Sequence, residues 1–305
     1  MHSQWLDVPM RDGLTARSDI LALSSAVLFG VSGTVAADAF SSFTPIQIAQ
    51  FRSTIAAVVL GAIAYRRRQT VTGGLLAALG VLGTFLATVT VTFYWAIERL
   101  GVGPGVTIQF LGPTLVLFWM RFVQKRSVPR MAWVAAAAAV GGTAMITRAW
   151  EYQALDPVGV LAGLGAALTF AGYLVTGEFL GRRLPGLTVG AYGFAISAVL
   201  LLAVAPIEFP SADAVGWTQL GWIAIGGTVL PFMMSLSALR VADPGRVGVL
   251  QTLEPAVAAA SAWLVLGQVL GLLQILGGLI VICSIAAIQH LTSNVAPDAP
   301  SPHPI

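Results

Sequence analysis

Ionisable side chains are scarce: Asp, Glu, Lys and Arg make up 10% of the 305 residues, against about 25% in soluble domains. Hydrophobic residues reach 57%, so the chain has too few polar groups to cover a water-facing surface. Cysteine is almost missing. Cys283 lies in an apolar run, which rules out a disulfide framework and a thiolate metal spacing. Histidine is confined to His2, His290 and His303, in the tails or at the end of the last apolar run. The acids Asp38, Glu178 and Glu254 fall on different segments and form no local motif. An intramembrane enzyme needs a nucleophile with a base, or a metal, so enzyme chemistry is not expected, nor is any metal or cofactor. No Walker pattern is present; Gly101–Gly105 (GVGPG) lacks the strand, Lys and Ser/Thr of a phosphate loop and reads as a flexible external connection and helix start. ATP-driven chemistry is therefore not expected of this chain.

What the chain has is apolar runs. Ten are placed, at 19–38, 46–65, 73–96, 103–122, 129–148, 157–178, 187–206, 217–239, 247–266 and 270–290. Each is near the roughly 20 residues that cross a hydrocarbon core about 30 Å thick. The fold class is an all-α polytopic membrane protein of ten transmembrane helices. Residues 1–18 are polar and mixed in charge, unlike a cleavable signal, and read as a cytoplasmic tail before a retained first helix. Residues 291–305, rich in proline and polar groups, read as a disordered cytoplasmic tail.

The net charge of +3 reports orientation rather than nucleic-acid binding, because the basic residues sit in short loops. With a cytoplasmic N-terminus, the inner side receives Arg11, Arg17, Arg66, Arg67, Arg68, Arg121, Lys125, Arg126, Arg130, Arg182, Arg183, Arg240 and Arg246. That is 13 of 16 Lys and Arg. Arg99 and Arg148 fall outside, and Arg52 lies within a span.

QFLGP at Gln109–Pro113 returns as QTLEP at Gln251–Pro255, an offset of 142 residues. The same offset pairs Ala96 with Ala238, Gly103 with Gly245 and Leu111 with Leu253. Five spans per half is an odd number, so the second copy (157–290) enters the membrane upside down relative to the first (19–148). Secondary transporters use such inverted repeats and place their site near the midplane, where the halves meet.

Glu254 is the leading site candidate, because an ionisable group in a span is costly and can hold an ammonium or exchange a proton. Its bland alternative is a neutral or paired group tying a kinked helix to a neighbour. Gln109 and Gln251 lie on corresponding turns, and Gln251 shares a face with Glu254; they can bond a polar substrate or simply bond between helices. Arg52, two turns into span two, can recognise a carboxylate, snorkel outward, or pair with Asp38. The Asp38 pair is the favoured expectation. Tyr173 is deep enough to wall a cavity, whereas Tyr94, Trp95, Trp119 and Trp263 read as interfacial belt residues. Pro113, Pro231 and Pro255 break spans four, eight and nine and are candidate hinges.

These stretches, with GTVLPFMMSLSALR (227–240), GVLQTLEPAVAAASAWLVLGQ (248–268) and VTIQFLGPTLVLF (106–118), resemble the EamA family of the drug/metabolite transporter superfamily. Within it they are most similar to the threonine/homoserine exporter group. The resemblance implies a bacterial inner-membrane carrier that exports amino acids or similar metabolites, coupled to protons. It matches Glu254–Pro255 to the family's Glu-Pro in span nine, and Arg52 to its span-two arginine. The chain departs from the group in having Gln109 where a Glu is usual, and Gly267–Gln268 where Gly-Glu is usual.

The expected partners are a small-molecule substrate, protons and the lipid bilayer, with no nucleic acid. The rival readings are a drug or organic-cation efflux carrier and, from a different class, a non-transporting membrane scaffold. Phosphorylated substrates fit less well, since Arg52 is the one Lys or Arg well inside a span.

Overall fold

A computed structural model describes residues 8–66, 71–100, 102–150, 156–204, 207–209, 211–266 and 270–293. Every described element is helical. The first three spans are α1 (Val8–Ala39), α2 (Pro45–Tyr65) and α3 (Gly73–Leu100). Span four comprises α4 (Val102–Gln109), α5 (Gly112–Phe118) and a π-helical turn at Trp119–Val123. Then come α6 (Arg130–Thr147), α7 (Pro157–Gly181) and α8 (Gly186–Val204). Span eight is α9 (Ala214–Ala224), a π-helical turn at Ile225–Val229 and α10 (Leu230–Ala238). Span nine is split into α11 (Pro244–Gln251) and α12 (Leu253–Leu266), and α13 (Leu272–Ser293) closes the bundle.

Eight of these segments are long and apolar enough to cross a membrane. The remaining two expected spans are the divided ninth and α13, whose apolar stretch is Leu272–Ala287. The first apolar span runs Ala16–Ala36, and the helix that carries it begins earlier. The backbone is helical from Val8, and no proline stands between residues 10 and 44 to end it earlier. Residues 1–7 and 294–305, including most of the C-terminal tail, and Gly267–Gln268 lie outside the described residues, as do Arg67, Arg68 and Gly101. The rest of the 101–105 connection, read as a flexible external connection and helix start, forms the start of α4.

Helix starts follow local chemistry. Thr44 and Gln47 form a reciprocal capping box on α2. Asp156, Asp213 and Asp243 cap α7, α9 and α11 through their carboxylates. Asp156 also takes a hydrogen bond from Arg99 at 2.9 Å. That guanidinium, more than the capped backbone N–H groups, holds its carboxyl below the usual aspartate range. Asp243 goes the other way: burial pushes it up, against the backbone N–H and the charge of Arg246.

The packing has a two-fold pattern under exchange of span n with span n + 5. Span three lies on span six as span eight lies on span one, and span nine on span one as span four on span six. Spans two and seven, four and nine, and five and ten pair with their own counterparts. Ser197 donates to Ser53 at 3.3 Å across the two–seven pair. The five–ten pair crosses at Gly142 and Gly277: a Cβ on Gly277 would lie 2.6 Å from the Gly142 carbonyl oxygen. Small residues at such crossings let the backbones touch, and van der Waals packing drives helix association in lipid. Gly277→Ala is therefore expected to destabilise the bundle by about 1–3 kcal/mol, read as a lower thermal transition of the detergent-solubilised protein. Gly278→Ala, with open space around it, is the control and should leave the transition in place.

Candidate functional site

The two broken spans meet at the centre. In each, one tight turn replaces the helical bond: Leu111 N–H donates to the Ile108 carbonyl at 3.1 Å, and Thr252 N–H to Val249 at 3.1 Å. The Thr252 hydroxyl also donates to the Val249 carbonyl, at 2.6 Å. Pro113 stands at the start of α5, Pro231 at the start of α10 and Pro255 in the first turn of α12. A first turn has no intrahelical use for the missing N–H. Each break therefore precedes its proline rather than lying on it. Gly30 brings α1 against the ninth-span break; a Cβ there would be 2.7 Å from the Glu254 carbonyl oxygen.

Around these breaks lies a cavity of about 90 Å³, lined by Phe29, Arg52, Val89, Thr90, Phe93, Gln109, Phe170, Tyr173, Phe232, Gln251 and Glu254. All five binding candidates of the sequence reading are brought together on its wall, from spans two, four, six and nine. A larger space of about 390 Å³ adjoins it, sharing Phe29, Arg52, Phe93 and Glu254. That second space passes Phe40, Ile97, Thr147 and Gln274 toward the end of the bundle that carries Asp38, Arg99 and Arg148.

Arg52 does not pair with Asp38. Its Nη1 donates to the Tyr94 hydroxyl at 2.9 Å, and its guanidinium carbon stands 6.0 Å from the Phe232 ring centroid. Asp38 instead accepts from Gln219 Nε2 at 2.7 Å. Tyr94 is correspondingly buried rather than part of a belt, with 4% of its surface exposed. Trp95, Trp119 and Trp263 are exposed as expected. Tyr173 is buried and donates to Ser235 Oγ at 2.8 Å, with its ring edge-on to Phe232 and stacked with Phe170.

Gln251 is held by two serines that its sequence neighbourhood does not reveal. Its Nε2 donates to Ser25 Oγ at 3.0 Å and Ser235 Oγ at 3.1 Å. The Ser25 proton is committed to the Ala22 carbonyl at 2.8 Å, so Ser25 accepts from the amide rather than donating to it. The Oε1 atoms of Gln251 and Gln109 are buried without a hydrogen-bond partner. Among the described residues, no group donates to the Glu254 carboxylate; the nearby charge is Arg52.

At the opposite, basic end the bundle is closed. Asp19 in α1 accepts from both Nε (2.7 Å) and Nη2 of Arg246 in α11, and both residues are buried, at 8% and 6% exposed. Glu178, also buried, accepts from Arg126 at 3.0 Å and Arg182 at 2.8 Å. The Asp19–Arg246 pair joins residues 227 apart, with no spacing in the sequence that could have announced it. The described residues hold no cluster of three or more metal-ligating side chains.

A helical bundle with paired broken helices, internal duplication and a cavity where its halves meet has the architecture of secondary membrane transporters. The EamA-like transporter family matches residues 16–148 and again 157–289, one match per five-span half, and this chain belongs to that family. It is thus an integral membrane transporter of small molecules. Curated relatives include the threonine/homoserine exporter RhtA of Salmonella typhimurium (strain SL1344), 29% identical over 209 residues, 67% of each chain. The RhtA of Escherichia coli (strain K12) is 29% identical over 64% of each chain. Protein PecM of Dickeya dadantii (strain 3937) is 27% identical over 72% of this chain and 75% of its own. A known crystal structure superposes with a TM-score of 0.77 at 16% identity, over 91% of this chain and 98% of its own, which supports the fold.

Proposed function

We propose that this transporter exports amino acids across a bacterial inner membrane by alternating access, coupled to protons. The observation that carries the reading is the pairing of one guanidinium and one carboxylate, Arg52 and Glu254, on the wall of a single mid-bundle cavity. An amino acid presents the complementary charges, a carboxylate for Arg52 and an ammonium for Glu254. The resemblance to threonine/homoserine exporters supports the same substrate class. Glu254 also serves as the proton site, exchanging its proton for the substrate ammonium.

In this reading both termini are cytoplasmic, as the concentration of 13 of 16 Lys and Arg at one end favours. The cavity runs toward the opposite end, and the basic end is closed by Asp19–Arg246 and the Glu178 cluster. The conformation is then outward-facing, and rocking of the two halves would open the inner end.

The test is counterflow in proteoliposomes, with amino acids, organic cations lacking a carboxylate, and phosphorylated sugars as separate substrates. Amino-acid exchange that accelerates with an imposed pH gradient is expected. Exchange of carboxylate-free cations alone would replace this reading with the cation carrier, and no exchange of any class would favour the scaffold. Tyr94→Phe removes the hydroxyl that holds Arg52; a hydrogen bond to a charged group contributes about 1.5–3 kcal/mol. The expected result is a KM raised about tenfold or more, with little change in the pH dependence of transport.

A further inference from the structure

The Arg52–Glu254 pairing explains two charges of the cavity but leaves two uncharged acceptors unexplained. Gln109 and Gln251 both line the space beside Glu254, and the carbonyl oxygen of each side chain is buried with no donor. A buried acceptor left unbonded is costly, and folded proteins satisfy nearly all of them. In this arrangement Gln251 Nε2 serves both serines: Ser25 gives its own proton to Ala22, and Ser235 accepts from Tyr173 as well. The Gln251 carbonyl is left outside both serine contacts. The Glu254 carboxylate likewise lacks a donor among the described residues, and its neighbour Arg52 spends Nη1 on Tyr94.

The wall of the space beside span nine thus carries three residues whose acceptors no described group satisfies, Gln109, Gln251 and Glu254, together with four phenylalanines, Phe29, Phe93, Phe170 and Phe232. A primary ammonium has three N–H donors and no acceptor. A quaternary ammonium has the same charge and no donor. Aromatic rings attract either cation, so charge and rings alone would not discriminate between them. The two glutamine carbonyls would.

We propose that Gln109 and Gln251 are specificity-determining residues that, with Glu254, take the three N–H groups of a primary ammonium and reject N-methylated cations. The proposal deepens the amino-acid reading, and its ammonium half stands without the carboxylate contact to Arg52. It also gives the uncharged Gln109 a role: a second carboxylate there would favour cations in general, whereas an amide carbonyl asks for a hydrogen-bond donor.

The experiment is competition in proteoliposomes with two matched pairs. One is leucine against its N,N,N-trimethyl betaine, the other n-butylamine against butyltrimethylammonium. The protein is expected to take each primary amine at least about a hundredfold better than its methylated partner, about tenfold for each of the two N–H bonds to the glutamine carbonyls, with the charge attraction of Glu254 common to both partners. Gln109→Leu and Gln251→Leu should each narrow that ratio about tenfold while exchange still depends on Glu254. Gln251→Met, closer in shape, guards against a variant that misfolds. Equal handling of primary and quaternary partners overturns the proposal, as does an undiminished ratio in a well-folded glutamine variant. Discrimination among the amines without leucine uptake would leave the ammonium site standing and remove the amino-acid reading. Uptake of no amine removes both.

Discussion

Glu254→Gln is expected to abolish pH-gradient-driven transport while the protein inserts and folds normally. Glutamine keeps the side-chain volume and removes the carboxylate that Glu254 places on the cavity wall. Nothing in the described structure donates to that carboxylate, so its loss breaks no internal hydrogen bond and folding has no reason to suffer. Binding does have a reason. A hydrogen bond to a charged group contributes about 1.5–3 kcal/mol, so exchange at low substrate should fall about ten- to a hundredfold. Coupling should disappear altogether, because no second acid among the described residues lines the cavity. Transport rates against pH for wild type and variant in proteoliposomes check this. An unchanged pH profile with full activity would remove Glu254 from both roles.

The second large effect lies at the opposite end of the cavity. Asp19 and Arg246 form a buried, two-pronged ion pair between α1 and α11. Removing one member of such a pair leaves an unpaired buried charge, at a cost of about 3–5 kcal/mol, whereas removing both is far milder. Asp19→Asn is therefore expected to weaken the closed basic end, and Asp19→Leu with Arg246→Leu to recover part of the loss. The readout is a thiol at Ser25, which lies between that pair and Gln251 in α1. In a Cys283→Ser background, Ser25→Cys should resist a water-soluble thiol reagent supplied from the basic end. With Asp19→Asn added, labelling should rise about tenfold or more, a shift of 1.4 kcal/mol in the open population being sufficient. Labelling that stays at the wild-type level would mean the ion pair does not hold that end shut.

Much of this architecture is legible in the sequence because bilayer physics leaves few choices. Apolar run lengths place ten spans, and the offset between Gln109–Pro113 and Gln251–Pro255 gives the duplication. The five polar candidates converge on one cavity because polar groups are expensive in lipid and so tend to face one another. What the sequence hides is whatever depends on distant pairing. Helical position offers Asp38 as the partner of Arg52, and finding Tyr94 there instead requires knowing how span two packs on span three. Ser25 and Ser235 look like ordinary small residues of membrane helices until the fold aims both at Gln251. The four phenylalanines of the cavity wall are likewise unremarkable in runs that are apolar throughout. The helical start at Val8 was hidden differently: hydropathy marks where a helix is apolar, not where the backbone begins to coil.

Gly112 occupies, in the first half, the place that Glu254 holds in the second. It is packed: a Cβ there would be 2.8 Å from the Phe170 ring and 3.1 Å from the Ala167 carbonyl oxygen. The two halves share a backbone plan, yet one copy of the broken helix serves as a wall and the other holds the acid. A gene duplication that began with interchangeable halves has thus ended in a division of labour. A charge placed on the first copy would meet span six before it met a substrate, so the halves can no longer trade roles by mutating one residue.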